Sequence, residues 1–240
     1  MGLCAPLAAQ QPIQQKPPQT WQPGVATKYA LVSTVDLPPK SHAYRPILQN
    51  DVVIVDAAGT VLLSASEHEP LDLVEGNMQF LSAPTMVQVV NNSEAPARVV
   101  AIELLRRSDG KVEPCAPPME CSQNITVGGK KAGETATFFT NGFITAEWGG
   151  MDANGVMERT YEGKKDKNHL ELVALTGLTA AFDGKPEKLQ AGSVYAGDVK
   201  EVKISAGADQ ARWCALYIDD AKFVERKENE KKKEDKKKKK

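Results

Sequence analysis

Three histidines, four cysteines and scattered carboxylates are the metal-binding side chains that this 240-residue chain spreads over its length. His42 lies in PPKSHAYRP two residues before Tyr44, and His68 sits among Glu67 and Glu69 in SASEHEPLD. His169 precedes Glu171 at alternating spacing, which on a strand puts both on one face. An inward His–Glu pair of that kind would bind a polar ligand or serve as a general base. His42, Tyr44, Arg159, Glu162 and His169 are therefore the candidate ligand-contacting residues. His68 reads as a solvated turn residue. The Gly-rich pieces VGGKKAG and EWGGMDANG lack the strand–loop–helix setting of a phosphate cradle. No GxSxG and no HExxH is present, and no catalytic residue is assigned.

Cys115 and Cys121 belong to RRSDGKVEPCAPPMECSQN, close enough in sequence to close a disulfide among prolines. Zinc would need further ligands at finger-like spacing, which this loop does not supply. A bridge here implies an oxidising compartment. The N-terminus reads the same way. MGLCAPLAA is small and apolar and is followed by the polar, Pro-rich QQPIQQKPPQTWQPG, as at the end of an export signal whose basic start is missing. A periplasmic or secreted location is the expectation. Cys214, in RWCALYID, reads as a buried thiol on a strand.

These residues must be positioned by β structure. Runs such as NDVVIVDA, TVLLSA, TMVQVVNN, ARVVAIELL, VMERTYE and ARWCALYID are short and apolar, separated by Gly, Asn, Asp and Pro turns. No window of a dozen residues carries a capped helical period. No apolar run approaches the length of a membrane-spanning helix. The chain is 41% hydrophobic and 25% charged, which excludes a wholly disordered or fibrous protein. Its net charge of −1 hides an asymmetry, because residues 226–240 hold ten Lys or Arg against four Asp or Glu. Such a tail cannot bury apolar surface and is expected to be disordered. Without interleaved aromatics it points to an anionic surface rather than to specific nucleic-acid binding.

The apolar pattern also repeats. EGNMQFLSAPTMVQVVNNSEAPARVVAIEL and AGSVYAGDVKEVKISAGADQARWCALYID each run glycine, strand, loop, strand, polar turn, Ala-Arg, final strand. The expected division is residues 1–24 as a signal remnant and linker, 25–108 as a first β module and 109–131 as a Cys-containing linker. A second module then covers 132–222, and 223–240 is the tail.

This layout resembles the cupin superfamily in its two-module form, whose jelly-roll-like β barrels carry the motifs G(x)5HxH(x)3–4E(x)6G and G(x)5PxG(x)2H(x)3N. Gly76, Pro84 and Asn91 resemble the second motif in the first half, where Val87 stands at the histidine position. In the second half the first motif would start at Gly155 and end at Gly177, with its HxH pair near Thr160 and Glu162 and its glutamate near His169. His42 and Tyr44 occupy the corresponding region of the first half, and Glu201 or Lys203 lies at the second-motif position of the second. The resemblance implies an all-β protein of two jelly-roll modules and a homodimer. A cupin metal centre needs converging imidazoles and a carboxylate, and three histidines divided between two modules do not furnish one. No metal and no cofactor are expected. The reading is a metal-free binding or structural protein for a small polar ligand. Its alternatives are a metal-independent isomerase or lyase and a pair of immunoglobulin-like adhesion modules.

Overall fold

The computed structural model describes residues 17–66, 68–105, 112–115, 121–160 and 168–219. Glu162, Cys4 and the Lys-rich tail lie outside the described residues.

Twenty strands and no helix are present among the described residues. The first half contains β1 (Gln22–Ala26), β2 (Ala30–Leu37), β3 (Ser41–Ile47), β4 (Val52–Ala58) and β5 (Thr60–Ala65). It continues through β6 (His68–Val74), β7 (Met78–Leu81), β8 (Thr85–Asn91) and β9 (Ala97–Leu104). The second contains β10 (Glu113–Pro114), β11 (Ser122–Val127), β12 (Lys130–Asn141), β13 (Ile144–Met151), β14 (Val156–Thr160) and β15 (Asn168–Ala174). Its last strands are β16 (Leu178–Phe182), β17 (Lys185–Leu189), β18 (Val194–Val199), β19 (Glu201–Ser205) and β20 (Ala211–Ile218).

The first half forms two sheets, β1-β2-β9-β4-β7 and β3-β8-β5-β6. The second repeats them as β12-β13-β20-β15-β18 and β14-β19-β16-β17, every strand displaced by eleven in the order. Sequential strands thus cross between two facing sheets, which is the jelly-roll arrangement. The expected all-β, two-module architecture is the observed one. Each pair of sheets encloses its own core. Leu37, Ile47, Ile54, Leu81, Val87 and Val99 fill the first, and Leu170, Leu172, Ile204 and the fully buried Trp213 fill the second.

A third core joins the modules. The outer faces of β2, β4, β7 and β9 pack Val32, Val53, Val55, Phe80 and Ile102 against Phe139, Ile144, Val173 and Leu216 of the second half. This is why NDVVIVDA and ARVVAIELL read as continuous apolar runs rather than alternating ones. Both faces of their strands are covered.

Some local expectations change. SHAYRPI, outside the expected strand runs, is strand β3. HEPLDLV, whose His68 reads as a turn residue, and KPEKL are the outer strands β6 and β17. Both pair on one side only and bury few side chains, so they carry little apolar pattern. Residues expected to be linker form β10 and β11, which pair in succession along one edge of β12. Cys115 and Cys121 are bonded across the interruption between them, with Cα atoms 5.6 Å apart. Backbone bonds from Cys115 N to Phe138 O and from Thr137 N to Cys121 O hold both ends against β12.

Candidate functional site

The residues facing the barrel interiors are set by the two-residue period of the strands. On β3, Ser41, Ala43 and Ile47 are buried, whereas Tyr44 and Pro46 are exposed and His42 is half-buried. Arg45 belongs to the inward row. It faces Val87 across the β3–β8 ladder, the position at which the cupin resemblance expects a metal-binding histidine. The Arg45 guanidinium donates through Nη2 to Glu103 Oε2 at 2.9 Å and through Nη1 to Ser33 Oγ. Asn50 Nδ2 donates to the other Glu103 oxygen at 3.0 Å. Trp21 lies beneath, its ring centre 5.5 Å from Arg45 Cζ.

The second barrel repeats this arrangement. Arg159 on β14 faces Val202 on β19. Its Nη1 donates to Glu147 Oε2 at 2.9 Å, and its Cζ lies 5.2 Å from the centre of the Tyr217 ring. The pairing registers make the partners equivalent. Ser33 pairs with Ala101 and Glu147 with Ala215, while Glu103 pairs with Leu31 and Tyr217 with Thr145. Both modules keep the arginine, but the carboxylate stands on β9 in the first and on β13, the counterpart of β2, in the second. Glu147 is only 6% exposed, and its Oε1 has no hydrogen-bond partner in the structure.

Each arginine borders a cleft at the open edge of its sheet. Beside Arg45 the segment Pro18–Trp21 runs along β3 and encloses about 450 Å³ with Tyr44 and Pro46. Beside Arg159 the strand β11 plays the same part, leaving about 260 Å³ lined by Gln123, Asn124, Thr126 and Glu158.

The other expected site residues are placed differently. His42 and Tyr44 point away from the interior, their rings 5.2 Å apart, and the Tyr44 hydroxyl accepts from Gln88 Nε2 at 3.1 Å. A one-residue difference in register exchanges the two faces of a strand, and it is Ala43 and Arg45 that point inward. In β19 the inward residue is likewise Val202, with Lys203 on the exposed face. Glu162 lies outside the described residues.

His169 and Glu171 share a face, as their spacing implies, but it is the face turned toward the first module. Leu170, Leu172 and Ala174 fill the barrel instead. His169 Nε2 lies 2.9 Å from Glu171 Oε1, its Nδ1 lies 2.9 Å from Asp198 Oδ1, and the Tyr29 ring is 4.5 Å away. Burial opposes charge on the imidazole, yet the two carboxylates outweigh it and raise its pKa. Burial also raises the pKa of Glu171, against the pull of His169. Both ring nitrogens are engaged at a module junction, so this pair is not a barrel-facing general base.

A divalent metal does not fit these interiors. Arginine and valine face one another at the place a histidine would be required in both modules. Among the described residues no group of three His, Cys, Asp or Glu side chains is arranged to hold a metal ion. Sequence reasoning named Arg159 but missed Arg45, Glu103 and Glu147. The signal available was an arginine at equivalent places in the two halves; the carboxylates, on non-equivalent strands, gave none.

No protein-family profile and no curated protein matches the sequence. Solved structures do resemble the fold. AerE from Microcystis aeruginosa superimposes with a TM-score of 0.60 at 10% identity, over 87% of this chain and 96% of its own. Salicylate 1,2-dioxygenase from Pseudaminobacter salicylatoxidans gives 0.56 at 11% identity, over 86% and 78%. Procruciferin, an 11S globulin from Brassica napus, gives 0.55 at 9% identity, over 84% of each. These are cupin-domain proteins, and the fold of this chain is the cupin fold. Here it occurs as two successive barrels. Identities this low define the fold and not the chemistry.

Proposed function

We propose that this chain is an exported, metal-independent binding protein in which an internal arginine–carboxylate contact stands where relatives of its fold would hold a metal. The observation that carries the reading is Arg45, facing Val87 and bonded to Glu103, with Arg159 facing Val202 as its counterpart. A guanidinium fixed in that place repels a divalent cation and offers donors to a small polar ligand entering from the adjoining cleft. The Cys115–Cys121 bond supports the oxidising compartment.

Elemental analysis of the purified protein for iron, manganese, nickel and zinc is the direct test. Substoichiometric metal throughout, with no thermal shift on adding manganese or zinc, is the expected result. One tightly held metal per chain would overturn the proposal. Alkylation of native material should leave Cys115 and Cys121 unmodified, and full labelling of both would remove the compartment argument.

A further inference from the structure

The second module carries another cleft, on the face of its larger sheet opposite to the one that Arg159 meets. On the face of β13 turned outward from the barrel, Gly150 has Glu134 of β12 and Arg212 of β20 as its direct cross-strand neighbours. Trp148, two residues earlier on the same face, lies across this glycine. A Cβ built on Gly150 would come within 2.5 Å of Trp148 Cη2. The other end of the indole runs under Gly76 of the first module, whose Cβ would meet Trp148 Nε1 at 3.2 Å. The ring is thus wedged at the junction and extends into a cleft of about 330 Å³. Around it stand Lys131, Glu134, Asp152, Gln210 and Arg212.

Three of the four rim charges already have partners. Lys131 Nζ is 2.8 Å from Glu134 Oε2, and Arg212 Nη2 is 2.7 Å from Glu75 Oε1. Such a rim offers many donors and acceptors without a strong field of either sign. An aromatic face attracts the weakly positive C–H groups of an aliphatic ring, and planar amide, guanidinium and carboxylate groups suit its hydroxyls. A free anion would have to displace an existing partner from Lys131 or Arg212. A neutral polyol would not.

We propose that this cleft binds a sugar ring of a neutral glycan, stacked on Trp148 and hydrogen-bonded by Glu134, Asp152, Gln210 and Arg212. The site lies on the outer face of the second barrel's larger sheet, so a metal found inside either barrel would leave it untouched.

The test follows the Trp148 indole N–H signal, assigned by Trp148→Phe, in nitrogen-15 NMR spectra of the full chain. Cellotetraose, maltotetraose, N-acetylchitotetraose and choline are added in turn. Saturable movement with at least one oligosaccharide is expected, weakened about fivefold or more by Gln210→Ala and by Glu134→Ala. Both substitutions lie at the accessible rim, and their amide spectra report whether the fold is kept. Movement that both variants leave unchanged would overturn the proposal. So would no movement with any oligosaccharide, or a response to choline alone, which would mark a cation site.

Discussion

Arg45 and Arg159 are the same residue of the repeated module, seen twice. Each points inward from the first strand of the smaller sheet, each faces a valine, and each spends its charge on a half-buried or buried carboxylate of the larger sheet. Their partners occupy different strands. A carboxylate that changes strand while its arginine stays fixed shows that the internal cation is the constant feature of both barrels.

Removing either cation should therefore be costly. Arg45→Ala leaves Glu103 with Asn50 as its remaining side-chain donor and is expected to destabilise the chain by about 2 kcal/mol. Arg159→Ala should cost more, about 3 kcal/mol, because Glu147 is more deeply buried and already has one unpartnered oxygen. Replacing both partners together, as Arg45→Met with Glu103→Leu, should recover most of the loss. Urea unfolding of the single and double variants measures this. Equal costs for single and double changes would show that the contact matters only as packing.

Asp56 carries a second expectation. It is fully buried on β4, its Oδ1 accepts from Ala58 N at 3.1 Å, and burial together with nearby Glu75 raises its pKa to about 7. The folded chain keeps a proton that the unfolded chain releases near pH 4, so stability falls as pH rises from about 4 to 7. Asp56→Asn keeps the acceptor and removes the charge. It should leave stability near pH 4 almost unchanged and raise it on the order of 2 kcal/mol at pH 8. Thermal unfolding at both pH values decides this, and an equal effect at each would rule out the titration.

The Cys115–Cys121 bond makes a local contribution. It ties β10 to β11 along one edge of β12 and closes a short loop, for which chain entropy gives about 2 kcal/mol. In the Cys115→Ser, Cys121→Ser variant, hydrogen exchange should quicken at Thr137 and at position 115, whose amides bridge these strands. Amides of β2 and β9 in the first module should keep their protection. Loss of protection throughout would mean that the bond holds the whole fold.

The repeat and its strands were legible because buried strands alternate or run apolar, and glycine, asparagine and proline mark the turns. What the sequence hid was direction. In SHAYRPI either His42 and Tyr44 or Ala43 and Arg45 can face inward, since each set mixes a polar with an adaptable side chain. The choice is made by Glu103 and Ser33, which are remote in sequence and recruit Arg45. In NHLELVA the alternation is clear, but both faces are buried, one in the barrel and one at the junction. Local pattern therefore could not show which side His169 would take.

That junction supplies the last prediction. Lys28 and Tyr29 come from the first module; His169, Glu171 and Asp198 come from the second, with Lys28 Nζ 3.7 Å from Asp198 Oδ2. The raised pKa of His169 means that its contribution is complete below its ordinary value of 6.5 and disappears as pH rises through the folded one. The raised pKa of Glu171 acts in the same direction, since its proton too is held more firmly in the folded chain. Docking of the modules should consequently weaken on the alkaline side of neutrality. Relative to the wild type, His169→Gln should lower the melting temperature at pH 6 and have a smaller effect at pH 9. The Asp56→Asn background removes the overlapping fall between pH 4 and 7, so melts there isolate the junction. A deficit of His169→Gln that stayed constant from pH 6 to 9 would show that the imidazole serves only as a packed hydrogen-bonding ring.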